Sequence, residues 1–282
     1  MLAEEQKEQY SDQGFLILEG ILPHADVAEA RAVVEEFVER SRNVAASDSV
    51  YDLEPGHTAR DPRVRRLKEP CVLHPVFRRL GQCVAVLDIV SALLGPDVRY
   101  QSSKLNMKSA RFGSPVEWHQ DFAFYPHTND DLLAVGIALD DCTLENGCML
   151  MVPGSHRGPI WSHHQNGVFV GAIDVDSAGV SVSEAVPVPI RAGGITLHHC
   201  RTLHASATNT SQTPRRIMFF EFNAADAWPL LGVPDLNAFD ARIVRGKPVN
   251  CYRVREMEVS VPLPKPERQG SIYEIQTAFR PS

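Results

Sequence analysis

Apolar positions along the chain follow two regimes. Up to about residue 97 they recur mainly at helical spacing. Val27, Ala30, Val34, Phe37 and Val38 mark one face of a helix from Asp26 to about Arg42. Phe77, Leu80, Val84, Leu87, Val90 and Leu94 form a single stripe, with Pro75 suited to a first turn and Gly95 to the position past the end. That spacing predicts one helix from Pro75 to Leu94, packed on a sheet. The polar residues 4–11 predict a short first helix, and Gly14 to Leu18 reads as a strand closed by Gly20 and Pro23. Residues 43–70 show no clear period and carry Pro55, Gly56, Pro62 and Pro70, which predicts a long loop of the kind that serves as a lid.

From residue 98 the pattern changes to short apolar runs separated by turns. Strands are expected at 98–107, around His119, and at 132–139, 148–152, 185–190, 195–199 and 217–223. Arg111 to Pro115 and Gly193-Gly194 read as turns, and Glu145-Asn146-Gly147 as a hairpin turn. A less regular insert spans 157–184. The whole predicts a mainly β protein with flanking helices: a double-stranded β-helix (jelly-roll, cupin-like) core under an N-terminal helical layer. One domain over 1–282 is expected, with 1–97 mostly helical support and loop, 98–225 the jelly-roll core and 226–282 a C-terminal extension.

Charge and composition narrow the function. A net charge of −7 and a pI near 5.9 argue against a nucleic-acid partner. The basic cluster Arg60 to Lys68 is a local exception and a candidate anion site. The most apolar segment, Cys83 to Leu94, is short and contains Asp88, so no membrane span is expected, and the N-terminus does not read as a secretory signal. Six cysteines without a C-x-x-C pair suit reduced thiols and a cytoplasmic protein. A monomer or homodimer is expected.

The candidate chemistry starts at Glu117-Trp118-His119-Gln120-Asp121. A strand there places His119 and Asp121 on one face, giving two corners of a 2-His-1-carboxylate site for non-haem Fe(II). His24-Ala25-Asp26 has the same form but opens a helical pattern. A second histidine has to come from a distant strand, and His198, His199 and His204 are the candidates, with His204 placed where the chain leaves the His199 strand. Arg215-Arg216 opens a later strand, from which an arginine can reach into the barrel and grip a carboxylate.

These blocks together resemble the phytanoyl-CoA dioxygenase family of Fe(II)/2-oxoglutarate oxygenases. The resemblance runs from Asp12-Gln13-Gly14-Phe15-Leu16-Ile17-Leu18 through Trp118-His119-Gln120-Asp121, Asp141 to Cys148 and Val152-Pro153-Gly154-Ser155-His156, to His204 through Ser211 and Arg215. It implies iron ligands His119, Asp121 and His204, with Arg215 on the distal carboxylate of 2-oxoglutarate and Ser206 assisting it. Lys104 is similar in placement to a position that contacts the cosubstrate. The implied reaction consumes O2 and 2-oxoglutarate, releases succinate and CO2, and oxidises a substrate C–H bond. A carboxylate at Asp121 argues for hydroxylation over halogenation. Ile137 stands where some members have tryptophan, so that pocket wall does not transfer.

Other readings stay beside this one. An acyl-CoA 2-hydroxylase would want basic residues at the pocket mouth, and Arg60, Arg63, Arg65, Arg66 and Lys68 could supply them. A zinc hydrolase could use two histidines and a carboxylate, but has no use for Arg215. A non-catalytic jelly-roll binding protein is the alternative of another class. Trp161, His163 and His164 are candidate substrate contacts in the insert, and residues 43–70 and 157–184 are expected to flank the pocket entrance.

Overall fold

The computed structural model describes residues 2–264 and 272–276. In chain order the elements begin with α1 (Glu4–Gln13), β1 (Phe15–Leu18), α2 (His24–Arg40), β2 (Tyr51–Leu53) and β3 (Val64–Lys68). Next come α3 (Pro70–Leu73), α4 (Pro75–Gly81), α5 (Val84–Leu94), β4 (Val98–Lys108), β5 (Val116–His119), β6 (Leu132–Ala138) and β7 (Met149–Met151). The rest are β8 (His164–Gln165), β9 (Val168–Phe169), β10 (Val186–Val188), β11 (Ile195–His199), β12 (His204–Ser206), β13 (Arg215–Ala224), α6 (Leu236–Asp240), β14 (Ile243–Arg245) and α7 (Ile272–Gln276).

Two antiparallel sheets make the jelly roll. The larger runs β1-β11-β6-β13-β4-β3-β2, with β14 also on β4, and the smaller runs β10-β7-β12-β5. The pleat of the large sheet sorts its residues cleanly. Leu133, Val135 and Ile137 of β6, Ile195 and Leu197 of β11, and Met218, Phe220 and Phe222 of β13 join one core with residues of α2, α4 and α5. That is the helical layer the sequence predicted. The opposite face looks into the barrel and carries a polar set: Lys104, Asn106 and Lys108 on β4, His198 on β11, and Arg215 and Glu221 on β13, with the Phe219 ring between the last two. Register ties these rows together, with Arg215 opposite Lys108, Phe219 opposite Lys104 and Glu221 opposite Ser102.

Four expectations change. Residues 43–70 are not loop throughout: β2 and β3 pair and extend the large sheet, with irregular chain at 44–50 and 54–63. Their period was hidden because Leu53 faces Val64 while Asp52 faces Arg66, so a bulge at Arg65 puts Val64 and Leu67 three apart on the buried side. The helix expected from Pro75 to Leu94 is two helices, broken at Gln82-Cys83. A Cβ on Gly81 would come within 2.0 Å of the Phe220 ring, so α4 ends where it touches the sheet. The break also turns Val84 out to solvent at 71% exposure and brings Val86 and Ile89 into the core.

Glu145-Asn146-Gly147 turns the chain without making a hairpin, because β6 lies in the large sheet and β7 in the small one. Finally, β5 ends at His119. Gln120 is extended and Asp121 opens a 3-10 turn through Ala123, so Asp121 does not share the strand. Ile137, which stands where some family members have tryptophan, is buried under the helices, in keeping with a pocket wall that does not transfer. Among the described residues no helix is long and apolar enough to cross a membrane.

Candidate active site

Pairing of β5 with β12 sets His204 directly opposite His119, with ring centroids 4.1 Å apart. The next link is Gln120, whose every polar group is engaged. Its N–H donates to His163 Nε2 at 2.8 Å, its Nε2 donates to the Arg201 carbonyl at 2.8 Å, and its Oε1 accepts the Trp161 N–H at 3.0 Å. This fixes where the chain turns and delivers the Asp121 carboxylate to the two imidazoles. Asp121 Oδ1 lies 3.8 Å from His119 Nε2 and 4.0 Å from His204 Nε2. One ligand atom from each of His119, Asp121 and His204 falls within 4.8 Å of the others.

The protonation states suit a cation. His119 Nδ1 bonds the Glu117 carbonyl at 2.8 Å and His204 Nδ1 bonds the Thr202 carbonyl at 2.9 Å. A carbonyl can only accept, so each Nδ1 carries the proton and each Nε2 offers its lone pair. Burial, then the charge His204 would carry, pushes His119 well below its ordinary range. Burial and then His198 push His204 down to about 4. Burial works to raise the Asp121 carboxyl, but Lys104, the hydrogen bond from His198 and the nearby imidazoles outweigh it and hold the group well below the usual range. Two neutral imidazoles and one carboxylate, all buried, are the donor set of an Fe(II) facial site.

Beside the triad a cavity is lined by Lys104, Asn106, Met149, His198, Ser206, Arg215 and Phe219. Arg215 is 2% exposed, and no acidic partner lies within ion-pair distance among the described residues. Its Nε and Nη2 both donate to the Gly147 carbonyl, at 3.1 and 2.6 Å. A buried guanidinium without a counter-ion fits a site whose anion arrives from solution. The turn at 145–147 thus holds this arginine, although its residues read as turn chemistry alone. Arg216 points the other way, onto Asp140 and Glu35.

Lys104 stands at the junction with a second cavity of about 340 Å³. Its ammonium is 2.8 Å from Glu221 and 3.8 Å from Asp121. Arg66, Lys68, Glu69, Phe124, Tyr125 and Glu221 line this larger space, and Asp121 faces it too. Phe124 also meets His119 edge-on at 5.7 Å, while Phe122 is core.

The expected site residues His119, Asp121, His204, Ser206, Arg215 and Lys104 therefore meet around two adjoining cavities. Of the other candidate histidines, only His198 joins them. His199 lies against His156 with the rings tilted and their centroids 5.3 Å apart, and His164 bonds the Pro262 carbonyl at 2.8 Å. His163 accepts the Gln120 N–H and serves the frame. His198 was one of three candidates for the metal histidine; its Nε2 instead lies 3.0 Å from Asp121 Oδ2. Strand alternation could have shown this, since buried Leu197 and Ile195 face the helices and turn His198 inward. Tyr273, in the same cavity, carried no signal in the sequence.

The sequence profile described as Phytanoyl-CoA dioxygenase (PhyH) matches residues 10–217. Over 285 residues the chain is 34% identical to a probable alpha-ketoglutarate-dependent hypophosphite dioxygenase of Stutzerimonas stutzeri, covering 99% of this chain and 98% of that one. It is 29% identical to an L-proline trans-4-hydroxylase of Streptomyces griseoviridis, over 79% and 87% of the two chains. Among solved structures, EctD from S. alaskensis with bound Fe superposes with a TM-score of 0.66 at 25% identity, over 79% of this chain and 77% of that one. The alpha-ketoglutarate-dependent carbocyclase SnoK from nogalamycin biosynthesis gives 0.65 at 27% identity, over 88% and 94%. The buried His-Asp-His cluster, the profile match and these relatives agree, and the chain belongs to the phytanoyl-CoA dioxygenase family of Fe(II)- and 2-oxoglutarate-dependent oxygenases.

Proposed function

We propose that His119, Asp121 and His204 hold the iron, that Arg215 with Ser206 binds the distal carboxylate of 2-oxoglutarate, and that the enzyme hydroxylates a C–H bond of a small polar molecule. When bound, Fe(II) and 2-oxoglutarate supply the oxidising power: O2 and 2-oxoglutarate are consumed, succinate and CO2 leave, and one oxygen atom enters the substrate. The chain's own work is placement. Carbonyls at Glu117 and Thr202 orient the two imidazoles. Lys104, on the cosubstrate side, also keeps Asp121 ionised.

The observation that carries this reading is the buried Arg215, without an ion-pair partner among the described residues, in the same cavity as the three converging ligands. Substrate would occupy the 340 Å³ cavity. Its walls carry Arg66, Lys68, Glu69 and Glu221, which suits a compact charged molecule better than the branched acyl chain of a CoA thioester. The relatives' names (hypophosphite, ectoine, L-proline) denote small polar substrates. The strand Val64–Lys68 walls this cavity through Arg66 and Lys68, with Glu69 just past its end, rather than forming a lid. A cytoplasmic monomer or homodimer completes the proposal, with six free thiols supporting a reducing compartment.

A screen of small charged metabolites, reading succinate and CO2 against 2-oxoglutarate consumed, tests it. Substrate-dependent succinate is expected. A protein that binds ligands yet makes no succinate with any of them, even when iron-loaded, would be the non-catalytic jelly roll.

A further inference from the structure

Helix α7 lies beyond the stretch matched by the family profile, which ends at residue 217, yet it returns to the metal face of the barrel. Gln276 anchors it. Its Oε1 accepts the Glu117 N–H at 3.0 Å and its Nε2 donates to the Gly171 carbonyl at 2.8 Å, tying α7 to the strand of His119 and to the insert. Ile272 and Tyr273 pack on Val116, and the Arg65 guanidinium lies 4.9 Å from the Tyr273 ring centroid.

Held in this way, Tyr273 is 5% exposed and lines the cavity that contains Arg215, Ser206 and Asn106. Its Oη has no hydrogen-bond partner among the described residues, and neither has Asn106 Oδ1. A buried phenol without an acceptor is rare and penalised, and ordinarily signals a missing partner. Burial, its largest influence, raises the Tyr273 phenol above its ordinary range, so the group is a proton donor at neutral pH. The cavity therefore presents a guanidinium and a phenol O–H, neither of which bonds a carboxylate among the described residues. A carboxylate has oxygens enough for both.

We propose that Tyr273 is a further cosubstrate-binding residue, donating its phenolic O–H to the distal carboxylate of 2-oxoglutarate beside Arg215. The proposal rests on the assignment of Arg215 made above. It gives the C-terminal segment a direct part in selecting a dicarboxylic 2-oxo acid, which packing alone would not do.

The test is calorimetric titration of the full-length protein loaded with Mn(II), so that binding is read without turnover. Two ligands are compared: 2-oxoglutarate, and 2-oxopentanoate, which keeps the chelating end and lacks the distal carboxylate. Tyr273→Phe is expected to weaken 2-oxoglutarate roughly ten- to hundredfold. It should leave 2-oxopentanoate within about twofold of wild type, the scatter expected where no hydrogen bond is lost, with Mn(II) content unchanged. Unaltered 2-oxoglutarate binding by Tyr273→Phe overturns the proposal, as does equal weakening of both ligands, which would mean packing. Arg215→Ala separates the underlying reading. If it binds 2-oxoglutarate like wild type, the arginine assignment itself fails; if it binds poorly while Tyr273→Phe binds normally, only the tyrosine is wrong.

Discussion

His198 Nε2 sits 3.0 Å from Asp121 Oδ2, while Asp121 Oδ1 lies within 4.0 Å of both His119 Nε2 and His204 Nε2. The two carboxylate oxygens are thus divided between a hydrogen-bond donor and the metal side. With its rotation fixed, Asp121 would present one oxygen to the proposed iron. His198→Ala should weaken Fe(II) binding by roughly ten- to hundredfold, the usual cost of losing such a support. Anaerobic Fe(II) titration measures it, and unchanged affinity would remove His198 from the site.

Arg215 and Arg216 are neighbours on β13 with opposite duties. Arg215→Ala should raise the apparent KM for 2-oxoglutarate by roughly 30-fold to several-thousand-fold, from the loss of a charge-assisted pair in a buried pocket. Arg215→Lys should recover part of this, because an ammonium cannot reproduce the planar fork. Arg216→Ala should leave that constant alone. Its side chain grips Asp140 with both Nε and Nη2, so the variant should instead lose on the order of 1–3 kcal/mol of stability. Steady-state kinetics and urea denaturation read the two effects, and exchanged phenotypes would invert the strand register.

Gly81 is the contact between α4 and the sheet. A Cβ there would lie 2.0 to 2.3 Å from three ring atoms of the buried Phe220. Gly81→Ala should cost about 1–3 kcal/mol by overpacking, although alanine favours helix. Thermal unfolding would show a lowered Tm, and a rise would mean that the ring moves aside freely.

Buried histidines should make the fold less stable in acid. Burial, its largest influence, lowers His127 to about 4, and burial also lowers His163 to about 4. Both are neutral in the fold, whereas the unfolded chain protonates near pH 6.5. Between about 4 and 6.5 the unfolded state therefore binds more protons, and stability must fall as pH drops. The contribution is complete above pH 6.5, and its loss levels off below about 4, reaching on the order of 3 kcal/mol for each histidine. Urea titrations of metal-free protein across this window should show the slope; a flat profile would contradict the burial account.

Much of this was legible in the residues because local pattern and tertiary role agree. The helical layer, most strands from Val98 to Asn223 and the outward turn of Arg216 follow from period, whereas the short strands β8, β9, β12 and β14 do not. Other features depend on contacts far away in sequence. The break after Gly81 comes from Phe220, the strand at Val64–Lys68 was masked by a bulge at Arg65, and Asp121 leaves its strand because Gln120 is held by Arg201, Pro159 and the insert. Period-based reading sees none of these. The triad was readable by resemblance, but the way His198 and Tyr273 meet it appears only when the sheets close and α7 returns.

The central claim is that His119, Asp121 and His204 form one ferrous site. Iron content after anaerobic reconstitution and desalting, measured for wild type and for His119→Ala, Asp121→Ala and His204→Ala, tests it most directly. Removing one of three ligands leaves too few to hold a labile divalent ion against water and chelators. One Fe(II) per chain is predicted for wild type and near-zero retention for each folded variant. Wild-type iron content in all three would contradict the account.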